Sequence, residues 1–494
     1  MDAAVIVVGA GPVGLMLAGE LRLAGVEVIV LERLAEPTGE SRGLGFTARA
    51  MEVFAQRGLM ERFGEVETSP RGHFGGVPLD YTVIEGGHFG ARGIPQYRTE
   101  SILFEWAVEQ GADIRRGHEV TGLAVSEDVV GVDVQGPDGA QRLRASYVVA
   151  CDGGHSTVRR LAGFEFPGTD ATREMLLADV VGCGLRARPI GEKLPRGMVM
   201  SAPVGDGVDR IIVCEQGAPP RRRTEPPAFA EVAAAWQRIT GENIEHGRAR
   251  WVGSFGDATR QVTRYRQGRV LIAGDAAHTH LPAGGQGLSF GVQDAVNLGW
   301  KLAAEVRGWA PPGLLDTYHD ERYPAGVGLL RNTRAQGLLY LSGSEMEPLR
   351  EVVAELMDYE QVARHLTGMV SGLDITYDVG PGSHPMLGRR LPDRQLIVGD
   401  RKVGTFELLR RGHGVLLDFA DGAKVRAEAA GWDGRVDTVV ATQPDAAPGD
   451  PLTDVEALLV RPDGHIAWCA PDDGAGPGEA LRRWFGAPRD AVAG

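Results

Sequence analysis

The chain has 494 residues, a formal net charge of −14, and 43% hydrophobic against 24% charged residues, the composition of an ordinary globular protein of two or three domains. The acidic balance argues against a nucleic-acid or anionic-membrane partner. Four scattered cysteines (Cys151, Cys183, Cys214, Cys469) form no C-x-x-C and no metal-ligand spacing, so they predict no metal site and a reduced, cytoplasmic setting.

Ala4 to Val8 is a short apolar run with β-branched residues, the pattern of a buried parallel strand. Gly9, Gly11 and Gly14 follow as G-x-G-x-x-G, with Pro12 and Val13 inside it. The first glycine permits a tight turn, the second lets a pyrophosphate approach the backbone, and the third lets a helix pack on the strand. Leu15, Leu17, Ala18 and Leu21 continue at helical spacing, and that helix end offers free N–H groups to phosphate. Glu27 to Leu31 predicts the next strand, and Glu32 at its end suits the ribose hydroxyls of an adenosine. These elements in order predict a dinucleotide site, without saying whether it takes NAD or FAD. The run from Ala3 to Gly19 has no basic leader and is broken by glycines and Pro12, so it predicts neither a signal peptide nor a membrane span.

Arg33 follows, then a glycine-rich stretch with Arg42, whose guanidinium suits a phosphate or an adenine-side oxygen. Thr47 is placed to cap a helix over 48–57. Pro70 to Tyr97 is rich in glycine, histidine and aromatics, including His73, Phe74, Tyr81, His88 and Phe89. It predicts loops and short strands lining a planar ligand. Gln96 and Glu100 lead into a helix expected over 102–109. Glu119 to Val149 predicts a three-stranded antiparallel meander with its turn at Pro137 to Gly139. The third strand, from Leu143 to Ala150, delivers Asp152, Gly153, Ser156 and Arg159 at a strand-to-helix junction.

Strand-like runs at 175–180, 198–204, 209–214 and 249–255, with a helix at 229–240, predict a separate sheet that forms a platform over a pocket. Arg269 to His278 then holds a second buried strand ending in Gly274 and Asp275. A glycine-rich loop from Pro282 to Leu288 feeds a helix over 288–305, again an anion-friendly helix start. Helices are expected over 314–339, broken or kinked at Pro324, and over 345–366. Pro381 to Pro385 and Arg389 to Pro392 predict a linker, and strands at 414–419, 436–440 and 457–460 with two helices predict a small α/β domain.

The three glycine-acid blocks, in this order and spacing, resemble the single-component flavoprotein aromatic hydroxylases, the para-hydroxybenzoate hydroxylase family. Gly72 to Gly76, Gln293 to Lys301, Arg461 to Gly464 and the tail resemble its aromatic polyketide members, of angucycline and anthracycline type. Leu288 to Phe290 departs from the Met-Asn-Thr-like triplet expected after the G-G-Q-G loop. The resemblance implies an α/β fold: a Rossmann-like FAD-binding domain (1–72, 98–173, 268–390), an inserted β-sheet substrate domain (73–97, 174–267) and a degenerate thioredoxin-like C-terminal domain (391–494). It implies cofactor contacts at Gly9, Gly11, Pro12, Val13, Gly14, Glu32, Arg33, Arg42, Gln96, Asp152, Gly153, Gly274, Asp275, Pro282, Gly285, Gly287 and Leu288. Asp275 would hold the ribityl chain, and Gln96 would lie by the flavin. His73, Phe74, Gly75, Pro282, Ala283 and Gly284 would line the substrate pocket. His73 and His278 are the candidates for a base, and each is more often a structural hydrogen-bonder.

The implied chemistry is reduction of FAD by NADPH or NADH, addition of O2 at C4a, and transfer of the distal oxygen of the hydroperoxide to an electron-rich ring. The absence of a second dinucleotide fingerprint predicts that the nicotinamide donor binds transiently in an open groove. Ionising a phenol at pH 7 costs about 4 kcal/mol, which a positive charge or helix end would partly offset. The substrate would be a polycyclic aromatic polyketide. A rifamycin-modifying monooxygenase, a Baeyer–Villiger variant and a non-catalytic polyketide binder are the rival readings; a homodimer is compatible with each. The eight tryptophans form no W-x-W, which disfavours a flavin halogenase.

Overall fold

The computed structural model describes residues 1–41, 43–221, 223–443, 450–471, 474 and 476–489. Its main sheet runs, in spatial order, Arg266–Gln267, Val270–Ile272, Gly139–Ala150, Ala3–Val8, Val28–Glu32 and Asp113–Arg116. The four junctions from Val270–Ile272 through to Asp113–Arg116 are parallel. In register, Val8 lies beside both Leu31 and Ala150, and Ala150 beside Ile272. Three segments distant in sequence therefore end together at one edge of the sheet.

The meander is present, with one difference. Its third strand begins at Gly139, four residues before the expected Leu143. Its first half pairs antiparallel with Val130–Gly136 and its second half pairs parallel with Ala3–Val8. The helix expected over 102–109 spans Gln96–Glu109, because Pro95 sets its start. Its first turns carry exposed polar residues and so lack an apolar stripe to read. The helix Thr317–Leu341 passes through Pro324 without ending there. The carbonyl left without a partner belongs to Asp320, which is exposed and open to water. The expected helix over 345–366 is two helices, Glu347–Met357 and Glu360–Ser371.

The inserted sheet has five strands in the order Arg188–Leu194, Gly197–Pro203, Val208–Glu215, Glu174–Val181 and Arg248–Gly256. Arg188–Leu194 carries Pro189, Gly191 and three charges, and escapes a sequence reading for that reason. It is an edge strand, where proline and charge are tolerated. The sheet is two-faced by strict alternation. Leu176, Ala178, Val180, Val199, Ile211 and Val213 pack on the helix Phe229–Thr240. Met175, Met198, Met200, Ile212 and Cys214 point the other way, toward Leu281, Ala283 and Tyr340.

The C-terminal sheet orders as Val436–Val440, Gly414–Asp418, Ala457–Val460 and Ile466–Ala470. Only the first pair is parallel. The unit is tied to the rest by buried charge. Arg461 donates to both oxygens of Glu321 at 2.6 and 2.8 Å and also pairs with Asp463. Lys301 Nζ donates to Glu321 at 2.8 Å and to Asn297 at 2.9 Å. A second pair, Arg57 with Glu20 at 2.6 Å, also donates to the carbonyls of Leu409 and Pro462.

Burial alone would raise the carboxyl of Glu321, but the charges of Arg461 and Lys301 outweigh it and hold the group down to about 2. A carboxylate with a depressed folded pKa stabilises the fold above its ordinary range near 4.5 and loses that contribution as pH falls toward 2. Arg461→Met strands two carboxylates in the interior. It is expected to cost about 3–5 kcal/mol, read as a lower thermal midpoint, with the acid-side loss of stability moved to higher pH.

Candidate active site

The three strand ends are locked to one another by backbone contacts that leave no room for a side chain. Gly9 has φ +103°, and a Cβ placed there would lie 2.5 Å from the carbonyl oxygen of Cys151. A Cβ on Gly14 would overlap the Gly9 carbonyl oxygen. Cys151 N–H donates to Val8 and Ala273 N–H to Ala150, closing the ladder between blocks. Arg159 bridges the second and third blocks, donating to the carbonyls of Gly154 and Ala276, both at 2.8 Å. Val13 sits against Gly274 and Gly291, where added Cβ atoms would lie 2.9 and 2.5 Å from its methyl carbon. The fingerprint helix thus packs directly on the third block.

Around this tight frame are open positions. A Cβ added at Gly11, Gly153 or Gly285 would meet nothing within 4 Å. Gly11 caps Pro12–Leu23 and Gly285 caps Gln286–Val306, and neither helix has a side chain on its first N–H groups. Asp275 is exposed at the corner after Gly274 (φ +63°). Gly287 lies near both Asp275 and His280. Asp152 uses Oδ2 to accept from Thr157 and Val158 N–H at 2.7 and 3.1 Å, while its Oδ1 is buried without a hydrogen-bond partner. Glu32 accepts from Ala10 and Leu34 N–H, both at 2.9 Å, which orients its carboxylate at the strand end. Gln96 accepts from Gly43 N–H at 3.1 Å and donates to Glu100 at 2.8 Å. Leu288 also reaches Gly43. Arg33 is exposed beside Glu32, and Arg42 lies outside the described residues.

The two histidines differ. His278 is fully buried, and its Nε2 bonds Asp294 Oδ2 at 2.8 Å. The same carboxylate accepts from Gly274 N–H at 3.0 Å and, through Oδ1, from Arg322 Nε at 2.7 Å. Such a residue holds the Gly274 corner in place; it does not face an open cleft, and a base role does not suit it. His73 is half-buried and stacks on Tyr340 at 5.8 Å and against Phe89 at 5.3 Å. Its Nδ1 accepts from Gly76 N–H at 3.2 Å. Burial, and after it the Arg92 charge, push its basicity down to about 4. A neutral ring with Nδ1 occupied carries its proton on Nε2, so the free nitrogen is a donor.

Of the other expected pocket residues, Ala283 joins the methionine face of the inserted sheet, beside the half-buried Gly284 and the exposed Pro282. The cluster that holds Phe74 and flanks Gly75 touches this group, since Val370 lies against Gly284. Phe74 is buried in a cluster with Leu339, Met357 and Val370, and Gly75 N–H is held by Gln336 Oε1. They buttress the hairpin that carries His73. Asp294 fell within the stretch Gln293 to Lys301 without a role of its own, and Arg322 and Arg92 carried no expectation. A lone aspartate amid the apolar residues of a long helix was the available signal for the first.

A parallel sheet with a G-x-G-x-x-G turn, an oriented acid at the next strand end and two further glycine-acid corners at adjacent strand ends is the frame of a dinucleotide-binding oxidoreductase. Comparison with known proteins narrows the class. A family model described as FAD binding domain matches residues 2–333, and one described as aromatic-ring hydroxylase, C-terminal, matches 384–488. The chain belongs to the FAD-dependent aromatic-ring hydroxylases, and it is a monooxygenase of that family. It is 63% identical to CabE, an aromatic hydroxylase from angucycline biosynthesis, with a TM-score of 0.97 over 99% of this chain and 100% of that one. It is 45% identical to the 12-dehydrotetracycline 5-monooxygenase/anhydrotetracycline 6-monooxygenase of Streptomyces rimosus, over 98% and 99% of the two chains. The rifampicin monooxygenase of Streptomyces venezuelae is 44% identical, over 98% of each. Among the described residues no helix is long and apolar enough to cross a membrane.

The open position at Gly11 gives a direct test. Its φ of −77° suits any residue, so Gly11→Val is expected to keep the unfolding free energy of the FAD-free protein within about 1 kcal/mol of wild type, read by denaturant unfolding. The valine fills the space a pyrophosphate needs, so FAD affinity, read by fluorescence titration, is expected to fall at least about 100-fold.

Proposed function

We propose that the protein hydroxylates a polycyclic aromatic polyketide, of angucyclinone or tetracycline type, in antibiotic biosynthesis. What supports this best is the full-length likeness to CabE, together with a methionine-rich sheet face set opposite the Leu281–Ala283 loop. Methionine offers a polarisable, adaptable surface to a flat multi-ring ligand.

FAD, when bound, supplies the redox chemistry that activates O2 with electrons from NADPH or NADH. The residues present fit it. Gly11 and the N–H groups behind it receive the pyrophosphate, and Glu32 accepts the adenosine ribose, with Arg33 beside it. Asp275 takes the ribityl chain, and Asp152 brings an unsatisfied oxygen to the same crevice. Gly285, Gly287 and Leu288 would offer a helix start to the ring, with Gln96 and Gly43 beside Leu288. The dipole of that helix stabilises negative charge by about 0.3–1 kcal/mol, rising to about 2 when partly buried. The apolar sheet face keeps water from the reacting edge.

The domain reading goes with this function: FAD binding by 1–72, 98–173 and 268–390, substrate binding by 73–97 and 174–267, and a thioredoxin-like unit over 391–494. The mixed C-terminal sheet with helices at Ala423–Ala429 and Pro477–Phe485 suits a thioredoxin-like unit without redox cysteines. A cytoplasmic homodimer is part of the same reading. A second reading, rifamycin modification, is favoured by the likeness to the Streptomyces venezuelae enzyme.

The purified protein is expected to be yellow. It is expected to consume NADPH faster with a tetracyclic phenol or hydroquinone than without, and to release a product heavier by one oxygen, read by mass spectrometry. Oxygen insertion into rifampicin, with none into the tetracyclic compounds, would move the assignment to the second reading. A colourless protein that oxidises no NADPH would end both.

A further inference from the structure

Three buried amide side chains, Gln286, Asn332 and Gln336, join two segments that lie far apart in the chain. Gly75 N–H, in the turn between Arg71–Phe74 and Val77–Asp80, donates to Gln336 Oε1 at 3.2 Å. Gln336 Nε2 donates to Asn332 Oδ1, and Asn332 Nδ2 to Gln286 Oε1, both at 2.9 Å. Gln286 Nε2 donates in turn to the Ala283 carbonyl at 2.9 Å. The hydrogen bonds run one way throughout. A backbone N–H only donates and a backbone carbonyl only accepts, so the two ends fix the orientation of every amide between them. Turning any one amide over sets donor against donor and acceptor against acceptor. Both ends are shaped by glycine. Gly75 has φ +58°, and an added Cβ would lie 2.8 Å from Leu339 Cβ. Gly284, beside the other end, has φ +70°, and an added Cβ would lie 3.0 Å from Val370 and 3.3 Å from Gln286 Nε2. Asn332 and Gln336 are one turn apart on Thr317–Leu341, so a single helix carries the middle of the relay. The hairpin at one end bears His73, stacked on Tyr340 of the methionine face. The loop at the other end bears Ala283 on that face, and its next residues open the helix Gln286–Val306.

We propose that this amide relay is a positioning device: it sets the Pro282–Leu288 loop in register with the hairpin, so that FAD arriving at the loop also orders the hairpin. The inference rests on the flavoenzyme reading and deepens it by naming Gln286, Asn332 and Gln336 as positioning residues, which act through the loop and the hairpin and not on the reacting atoms. Among the described residues the three amides bond only one another and backbone groups. A buried amide with both partners fixed has no cheap alternative arrangement, because each lost bond leaves a donor or an acceptor unpaired. A shift of Ala283 is therefore passed on to Gly75 or opposed by it.

The test follows amide hydrogen exchange by mass spectrometry on the full-length holoprotein and on the same protein stripped of FAD. In wild type, FAD is expected to slow exchange at least about tenfold in peptides covering 282–288 and also in those covering 71–80. Asn332→Leu removes the middle of the relay at nearly constant volume. It is expected to keep the slowing over 282–288 and to leave less than about twofold over 71–80. Gln286→Glu checks the direction of the hydrogen bonds independently, and serves where Asn332→Leu does not fold. Its carboxylate still accepts from Asn332 but opposes the Ala283 carbonyl, whereas the protonated acid donates to that carbonyl. Burial raises such a carboxyl, so Gln286→Glu is expected to pass FAD protection to the hairpin at about pH 5.5 and not at about pH 8.5. Gln286→Met is expected to pass it at neither pH, and wild type at both. The proposal is overturned if FAD protects the loop of wild type and leaves its hairpin unprotected. It is equally overturned if Asn332→Leu still protects 71–80, or if Gln286→Glu and Gln286→Met behave alike at both pH values. Failure of the flavoenzyme reading shows separately, as a protein with no flavin absorbance after incubation with FAD, and takes this inference with it.

Discussion

The carboxylate of Asp294 is the constraint on which the site depends. It lies in the middle of Gln286–Val306, with no exposure to solvent, and takes donors from the Gly274 backbone, His278 and Arg322. A buried charge of this kind is tolerable only when fully paired, and removing one partner costs several times more than a surface pair contributes. The geometry is therefore close to all-or-none. Arg322 extends it, donating to Tyr377 Oη and to the Phe290 carbonyl, with its guanidinium 4.0 Å from the Phe290 ring centre. One carboxylate thus fixes the Gly274–Asp275 corner against the helix whose start faces that corner. It also fixes both against Thr317–Leu341.

The same two helices carry a second buried cluster, one to two turns beyond Asp294 on the first and next to Arg322 on the second. Asn297 and Lys301 from the first and Glu321 from the second meet Arg461 and Asp463 of the C-terminal unit. The helix that points at the flavin corner is thereby clamped by ion pairs along its length. This gives the C-terminal unit a mechanical role that does not depend on any chemistry of its own. Its reactive-looking residues are inward: Cys469 is buried, and His465 packs on Tyr377. Salt screens such fully buried pairs weakly, so the clamp is robust to ionic strength.

Chemistry at the pocket is divided between groups that hold charge and groups that refuse it. The sheet face is sulfur and hydrocarbon around Met175, Met198, Met200, Ile212 and Cys214, and the buried ion pair of Arg210 with Asp179 lies further along the same face. His278 is committed to the frame. His73 is kept neutral by burial and by Arg92, and its tautomer is set by a backbone N–H. Both histidines are thus engaged by the fold, His278 through Asp294 and His73 through Gly76 N–H.

The α/β character, the strands that end in the three glycine-acid blocks, the separate middle sheet and the small C-terminal unit were all legible in the amino-acid sequence. Each depends on short-range patterning: alternation in strands, glycine where backbone meets backbone, apolar spacing in helices. Gly9, Gly14 and Gly274 could be read because only glycine fits those contacts. What the chain order could not reveal is which distant polar residues would share one buried point. The packing of Phe74 and Gly75 against Leu339 has no local mark, and neither do the partners of Asp294, Arg322 and Arg92. Ion pairs and aromatic stacks between residues far apart in sequence exist only once the chain has closed on itself. The nucleotide fold was therefore determined by local sequence, and the division of labour within the site by tertiary packing.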